Sequence, residues 1–141
     1  MKRFFIWLTL ITLGLATMCS CSSPERRLAE YWDGYDFHSL DGFSDYNAAE
    51  KKFDNYIKLL NKVPHDVAVA DLKKFMESAK LNEVAYMTWA GWFPVVLHDS
   101  ESRQKNDILF DAWLDMMLED NFLNDEYIMD QLIQMKKELN F

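Results

Sequence analysis

Cysteine is almost missing from this sequence, and its absence excludes several kinds of chemistry. The chain has two cysteines, Cys19 and Cys21, and both lie at the end of an apolar N-terminal segment. The residues that follow therefore contain no disulfide, no C-x-x-C redox pair, no thiol nucleophile and no thiolate metal ligand. A domain of this size does not need a disulfide, because about 120 residues bury about two-thirds of the surface of the unfolded chain.

Positive charge is also in short supply. Lysine and arginine number 15 against 23 aspartates and glutamates, which gives a formal charge of −8. Removing Lys2 and Arg3 with the N-terminal segment takes this charge from −8 to about −10. Such a surface repels nucleic acid and anionic lipid headgroups, so we expect no nucleic-acid partner. Half of the residues are hydrophobic and 15% are aromatic, which excludes a disordered chain.

The alternation of polar and apolar residues that is typical of β-strands nowhere extends far enough to predict a strand. Apolar residues instead recur at the spacing of an α-helix in several segments. We therefore predict one all-α domain over residues 25–141, a compact array of five or six short helices. The residues predicted to face its core include Tyr46, Phe53, Phe75, Met87, Trp89, Phe93, Trp113 and Leu132.

Capping residues and helix breakers predict where the helices begin and end. Ser23 predicts the start of a first helix that runs to about Asp33. The fifth helix is predicted over about 103–119, and Asn124 is predicted to cap the sixth.

The N-terminus has the features of a secretory signal peptide. Lys2 and Arg3 are positively charged, and an uncharged, largely apolar run of fifteen residues extends from Phe4 to Met18. This run is too short to cross a hydrocarbon core of roughly 30 Å, for which a helix needs about 20 residues. We therefore predict a signal peptide over residues 1–20 rather than a membrane-spanning helix.

The segment around the two cysteines resembles the lipobox of bacterial lipoproteins, where a peptidase cuts before a cysteine that is then acylated. Cys21 follows the small Ser20, whereas Cys19 follows the bulky Met18. Cys21 is therefore the predicted lipidation site, with Cys19 as the alternative. Two or more acyl chains anchor a protein stably. We expect a lipid-anchored protein of the cell envelope, in the outer membrane and facing the periplasm, with residues 21–24 as a short tether.

No group of residues predicts a metal site, a cofactor site or a catalytic centre. The three histidines, His38, His65 and His98, lie far apart, and none has a second ligand at the spacing of a zinc site. The aspartates between residues 33 and 45 do not match the calcium-binding loop of an EF-hand. We therefore expect a non-catalytic protein without a metal or a cofactor.

A row of acidic residues lies along the predicted fifth helix. Asp107, Asp111, Asp115 and Glu119 recur every four residues, and no lysine or arginine occurs between residues 106 and 121. Like charges at this spacing destabilise an isolated helix by roughly 0.2–0.5 kcal/mol per pair. Either lysines of the second and third helices (Lys51, Lys58, Lys73 or Lys74) neutralise this acidic row, or the row is a docking face for a basic partner protein.

Two tryptophans of the predicted fourth helix have different expected roles. Trp89 shares a helical face with Tyr86 and Phe93, which predicts packing in the core. Trp92 lies away from that face, and it fits either a core position or an exposed ring that stacks on a ligand. Trp92 is therefore the candidate ligand-stacking residue.

Three short motifs stand out in the helical region. They are Tyr31-Trp32-Asp33 with Asp36-Phe37, the run 56–60 that ends in Val63-Pro64, and Asp99-Ser100 leading to Arg103 and Asn106. Together they resemble an uncharacterised helical module of Bacteroidota-type lipoproteins. The resemblance implies a secreted module that usually lies just upstream of a thioredoxin-like domain, and it implies no catalytic residue. Such a domain would begin about where this sequence ends, so we expect its activity to lie outside this sequence.

These observations lead to two expectations of different kinds. The first is a lipid-anchored, non-catalytic lipoprotein whose helical domain binds another envelope protein. The alternative is a lipoprotein that binds a small ligand or glycan through exposed aromatic rings. The position of Trp92 bears on the choice, because a Trp92 buried in the core would remove the best stacking residue.

Overall fold

The computed structural model describes residues 22–120 and 122–139, and all regular structure within these ranges is helical. The predicted all-α class is therefore confirmed. The predicted signal peptide and both cysteines lie outside the described residues. The elements in chain order are α1 (Pro24–Ala29), a single 3₁₀ turn (Asp41–Phe43), α2 (Tyr46–Leu60), α3 (His65–Ala79), α4 (Glu83–Leu97), α5 (Asp107–Glu119) and α6 (Glu126–Leu139).

Polar side chains cap the first residues of five helices, and four of these caps precede α1, α2, α4 and α5. Ser23, Asp45, Asn82 and Asn106 each accept a hydrogen bond from the backbone amide three residues later, at 3.0–3.2 Å. These bonds satisfy amides that have no partner within the helix itself. The predicted cap at Ser23 is among them.

Three helix boundaries differ from the prediction. α1 ends at Ala29, because residues 30–34 form turns. α5 begins at Asp107 rather than near residue 103, since the preceding residues form turns that end at the capping asparagine. The cap of α6 is Asp125, whose carboxylate accepts a hydrogen bond from the amide of Ile128 at 3.1 Å. Asn124 instead has a φ of 38°, the left-handed conformation that asparagine tolerates better than most residues.

The core between α2, α3 and α4 is rich in aromatic rings. Trp89 is fully buried, and the ring centroids of Phe53, Phe75 and Trp32 lie 5.6–5.7 Å from its own. Aromatic rings bury large apolar areas, and their edge-to-face and offset contacts add to the stability gained from burial. α5 joins this core through several buried side chains, among them Trp113, which stacks on Phe93 with ring centroids 5.7 Å apart.

Two residues predicted to face the core are exposed. Tyr46, the first residue of α2, is 56% exposed, and its ring lies against Trp92 at the edge of the core. Met87 is exposed as well. The sequence predicts it in the core because α4 is apolar on all sides, and hydrophobicity alone does not identify the inner face of such a helix. The prediction was wrong for these two positions and correct for the other six.

α6 packs on α5 through aliphatic side chains. Leu132 and Leu139 are its buried residues, and Ile128, Met129 and Met135 pack against the core while partly exposed. Within the described part of the chain, no helix combines the length and the apolar character that a membrane crossing requires.

Candidate functional site

α4 exposes an uncharged and largely apolar surface. Val84, Met87 and Val95 are 59%, 41% and 61% exposed, and the exposed Gly91 lies between them. Spacings of three, four and four residues place all four on one side of the helix. We call these four residues the α4 outer face. The only charged residue of α4 is Glu83, at its first position.

The α4 outer face is unusual for an exposed helix surface. Single exposed apolar side chains are common on soluble proteins, whereas contiguous apolar patches mark interaction surfaces. A helix that is apolar all round is ordinarily buried on every side. Leu81, three residues before Val84, is also exposed and extends the apolar row beyond the start of the helix. The surface is therefore a candidate protein-binding site.

At Gly91 no side chain covers the backbone of the α4 outer face. A Cβ atom added at Gly91 would meet no atom within 4 Å, so the fold itself does not require glycine there. Glycine inside a helix costs about 0.5–1 kcal/mol relative to alanine. A small residue that the fold does not need permits the backbone of a partner to approach α4 closely.

A groove between α2 and α4 borders the α4 outer face. Its volume is about 450 Å³. Its walls combine polar side chains of α2 with aromatic and aliphatic side chains of α4, and we call it the Trp92 groove. The lining residues are Tyr46, Asn47, Glu50, Lys51, Phe53, Asp54, Trp92, Val95 and Val96.

The structure places Trp92 at the edge of the core and also in the wall of this groove. Its ring centroid lies 5.0 Å from that of Trp89 and 5.4 Å from that of Phe53. Its indole Nε1 donates a hydrogen bond to the hydroxyl of Tyr46 at 3.0 Å. Trp92 is half-buried, so it has neither a pure core position nor a freely exposed ring.

A second cavity continues the Trp92 groove towards the loop before α5. Its volume is about 510 Å³, and it shares Asp54, Val95 and Val96 with the first. The other residues around it are charged or polar and include Lys58 and Arg103. Lys58 forms an ion pair with Asp54 across one turn of α2.

Two members of the acidic row lie on the side of α5 that contacts α6. Lys136 of α6 forms ion pairs with Asp111 and with Asp115, the latter at 2.8 Å. Burial alone would lower the pKa of Lys136, but the hydrogen bonds to the two carboxylates raise it above its ordinary value. Two members of the acidic row are therefore bound within the chain.

The remaining members of the acidic row have different surroundings. Asp107 lies 3.6 Å from Lys105 and 3.7 Å from His98. Glu119 borders a pocket of about 220 Å³ between α3 and α5. The prediction that Lys51, Lys58, Lys73 or Lys74 pairs with the row was wrong for Asp107, Asp111 and Asp115, because α6 and the loop before α5 supply their cations. Docking of a basic partner on this row stays a prediction.

A polar cluster joins the end of α5 to α3 and α4. The hydroxyl of Tyr86 donates to Asp120 at 3.1 Å, and the ammonium of Lys80 lies 2.8 Å from both Asp120 and Glu77. Burial raises the pKa of Tyr86 well above its ordinary value, and the Asp120 carboxylate raises it further. Burial by itself raises the pKa of Asp120, but hydrogen bonds, first from Lys80, bring it below its ordinary value. The cluster is internally paired and holds three helices together.

His98 and Asp36 make local contacts that stabilise the fold. His98 stacks on Phe110 with ring centroids 4.5 Å apart. Asp36 accepts a hydrogen bond from the amide of His38 at 2.9 Å, which stabilises a turn. Among residues 22–120 and 122–139, no three histidine, aspartate or glutamate side chains come together as ligands for a metal ion.

All three sequence motifs contribute contacts between helices. The ammonium of Lys52 lies 4.9 Å from the ring centroids of Tyr31 and Trp32, within range of cation–π attraction. In the second motif, the hydroxyl of Tyr56 donates to Asp71 of α3 at 2.8 Å. In the third, the side chain of Asn106 donates to Asn61, just after α2, at 2.7 Å. The motifs therefore stabilise the fold.

The family described as "Domain of unknown function (DUF5106)" matches residues 27–138. The chain belongs to this family. The match begins within α1 and ends one residue before the end of α6, so it covers almost the whole helical region. The expected resemblance to an uncharacterised helical module is confirmed at this level. A comparison with curated proteins finds no match.

The fold is similar to part of a thioredoxin-like protein from Bacteroides caccae, known from a crystal structure at 1.90 Å resolution. The TM-score is 0.73 and the sequence identity is 19%. The alignment covers 83% of this chain and 43% of that protein, so this chain spans less than half of its length. Identity this low supports a common fold and nothing more specific.

Sequence reasoning missed the α4 outer face and Lys136. The sequence contained a signal for the α4 outer face, because no charged residue occurs from Val84 to Leu97. Lys136 had no comparable signal, since its contact with Asp111 spans 25 residues and depends on how α6 packs on α5.

Proposed function

We propose that the chain is a lipid-anchored, non-catalytic protein of the bacterial cell envelope whose helical domain binds another protein through the α4 outer face. The observation that carries this proposal is the uncharged, exposed row of Val84, Met87, Gly91 and Val95. Apolar surface of this kind gains free energy when a partner covers it. A non-catalytic role is supported by the internal pairing of the Tyr86–Asp120 cluster.

The proposed partner is a protein with a thioredoxin-like domain in the same compartment. A fold similar to this one makes up 43% of a protein described as thioredoxin-like. In our proposal, the α4 outer face binds a domain of this kind. The Bacteroides protein also supports an origin in a Bacteroidota-type bacterium.

The proposed lipid anchor would keep the domain close to the membrane. Cys21, the predicted lipidation site, lies three residues before the start of α1 at Pro24. Three residues span at most about 10 Å. A partner held at the same membrane would therefore meet the α4 outer face at a raised local concentration.

The anchor is tested by labelling with a palmitate analogue in the bacterium that makes the protein. We expect Cys21→Ser to abolish labelling and Cys19→Ser to leave it unchanged. The reverse pattern would move the lipid to Cys19, and label that survives in both single variants and in the double variant would refute the lipoprotein assignment.

The binding surface is tested by a photoactivatable cross-linking residue placed at Met87 in living cells. We expect a cross-link to a protein that contains a thioredoxin-like domain, identified by mass spectrometry. The control position is Tyr127 on α6, which is 73% exposed. The same products at both positions, or products without a thioredoxin-like domain at Met87, would contradict the proposal.

A Gly91→Ala variant separates folding from binding. Because its Cβ would meet open space, alanine should stabilise the helix by about 0.5–1 kcal/mol. The same methyl group should weaken the Met87 cross-link if a partner backbone lies against Gly91. Higher stability in a urea melt with an undiminished cross-link would exclude close approach at this residue.

A further inference from the structure

The Trp92 groove and the second cavity join end to end, and together they form one elongated groove. Asn47 and Lys58, which line its two ends on α2, are eleven residues apart. At a rise of 1.5 Å per residue they lie about 16 Å apart along the helix axis. Asp54, Val95 and Val96 belong to both cavities, so one ligand can extend through both.

One end of the groove offers aromatic rings that are already fixed. The rings of Tyr46 and Trp92 are nearly perpendicular, with centroids 5.3 Å apart, and a hydrogen bond joins them. Contacts with Trp89 and Phe53 hold Trp92 from the core side. Rings that are held in place lose little conformational freedom when a ligand binds. Aromatic rings also attract the weakly positive C–H groups of a sugar ring.

The polar lining suits a ligand with many hydroxyl groups and no net charge. Near the aromatic end, Glu50 supplies acceptors, Lys51 supplies donors and Asn47 supplies both. Both signs of charge recur along the groove, since Asp54 is paired with Lys58. A strongly charged polymer would meet repulsion at several points.

The walls of the groove favour a sugar chain over a peptide. An extended peptide gains affinity mainly from main-chain hydrogen bonds to an exposed sheet edge. At the aromatic end, the walls are two helices whose backbone groups are bonded mainly within each helix, which leaves side chains to bind a ligand there. The other end is lined partly by residues of the loop before α5, whose side chains are charged or polar. An amphipathic helix would need an apolar groove, whereas the α2 wall presents Glu50, Lys51 and Asp54.

We propose that the Trp92 groove binds a short neutral oligosaccharide, with one sugar ring against Tyr46 and Trp92 and its hydroxyls bonded to Glu50, Lys51 and Asn47. This site is distinct from the α4 outer face, although Val95 belongs to both. In this proposal the domain binds a protein on the α4 outer face and a glycan in the neighbouring groove.

The experiment measures binding of the full-length, detergent-solubilised lipoprotein to hexasaccharides of glucose, mannose, xylose and galactose by isothermal titration. We expect at least one of these sugars to bind. Tyr46→Ala and Glu50→Ala should each weaken that binding at least tenfold. Both side chains are exposed, so the helical content and melting temperature should change little.

Matched controls separate this site from the other surfaces. Tyr127→Ala removes an exposed aromatic ring on α6 and should leave sugar binding unchanged. Val84→Glu, with the cross-linking residue kept at Met87, should abolish the protein cross-link while sugar binding persists. The absence of binding to all four sugars at millimolar concentration would overturn the proposal. Binding that survives Tyr46→Ala and Glu50→Ala would also overturn it, as would binding of a peptide library that depends on the same two residues in place of sugars.

Discussion

The two ends of the helical domain are held together by different forces. Between α1 and α4, the rings around Trp89 form one continuous aromatic cluster. α6 contributes no ring to the core, since its only aromatic side chain, Tyr127, is largely exposed. Two buried leucines and the ion pairs of Lys136 hold it on α5 instead. The two ends therefore differ in their stability against local unfolding, and α6 should unfold before α2, α3 and α4 do.

The largest effect should follow from removing the centre of the aromatic cluster. Trp89→Ala deletes a fully buried ring with several aromatic neighbours, so it should lower the free energy of unfolding by roughly 3–5 kcal/mol. Urea melts followed by circular dichroism would measure this loss. Tyr127→Ala is the matched control and should cost less than about 0.5 kcal/mol. Equal effects for the two variants would remove the contrast between the two ends.

A smaller loss is expected in α6. Leu132→Ala should cost about 2 kcal/mol, the lower end of the range for a buried leucine, because α6 has a single helix as its main neighbour. In the wild type, amide hydrogen exchange should be faster in α6 than in α4 under native conditions. Exchange that is equally slow in both helices would mean that α6 opens only when the whole domain unfolds.

The comparison of the two ends also explains what the sequence could predict. Ser23 and the periodic apolar residues of α2 and α3 are local signals, and they correctly predicted helices and most of the core. In α4, by contrast, apolar residues occur on all sides of the helix, so the sequence does not show whether Met87 and Trp92 face the core or the solvent. The Lys136 pairs and the Trp92 groove bring together distant parts of the chain, which helical periodicity does not encode.

A third prediction concerns the junction between the two ends, where Asp120 bonds to Lys80 and Tyr86. Asp120→Asn should cost about 1 kcal/mol at pH 7, because it weakens a charge-assisted hydrogen bond. The pKa of Asp120 is lower in the folded protein than its ordinary value of 3.8. Its contribution is therefore complete above pH 3.8 and is lost as the pH falls through the folded pKa. Melts between pH 7 and pH 3 should show the wild type and Asp120→Asn converging in acid, and a constant difference would contradict this origin.

The smallest effects are expected in the acidic row, where charge holds α6 on α5. Lys136 bonds to Asp111 and Asp115, so changing both acids to glutamine removes two exposed ion pairs and one like-charge repulsion. These terms nearly cancel, and the double variant should differ from the wild type by a few tenths of a kcal/mol. Lys136→Met should be the less stable variant, because it leaves the repulsion without its cation. This loss of stability should be larger at low salt than at high salt, where the repulsion is screened.

The same variants test docking on this row: the wild type should capture a basic partner at low salt, and the variant with both glutamines should not. An unchanged set of captured proteins, beside the expected melts, would leave the row with a structural role alone.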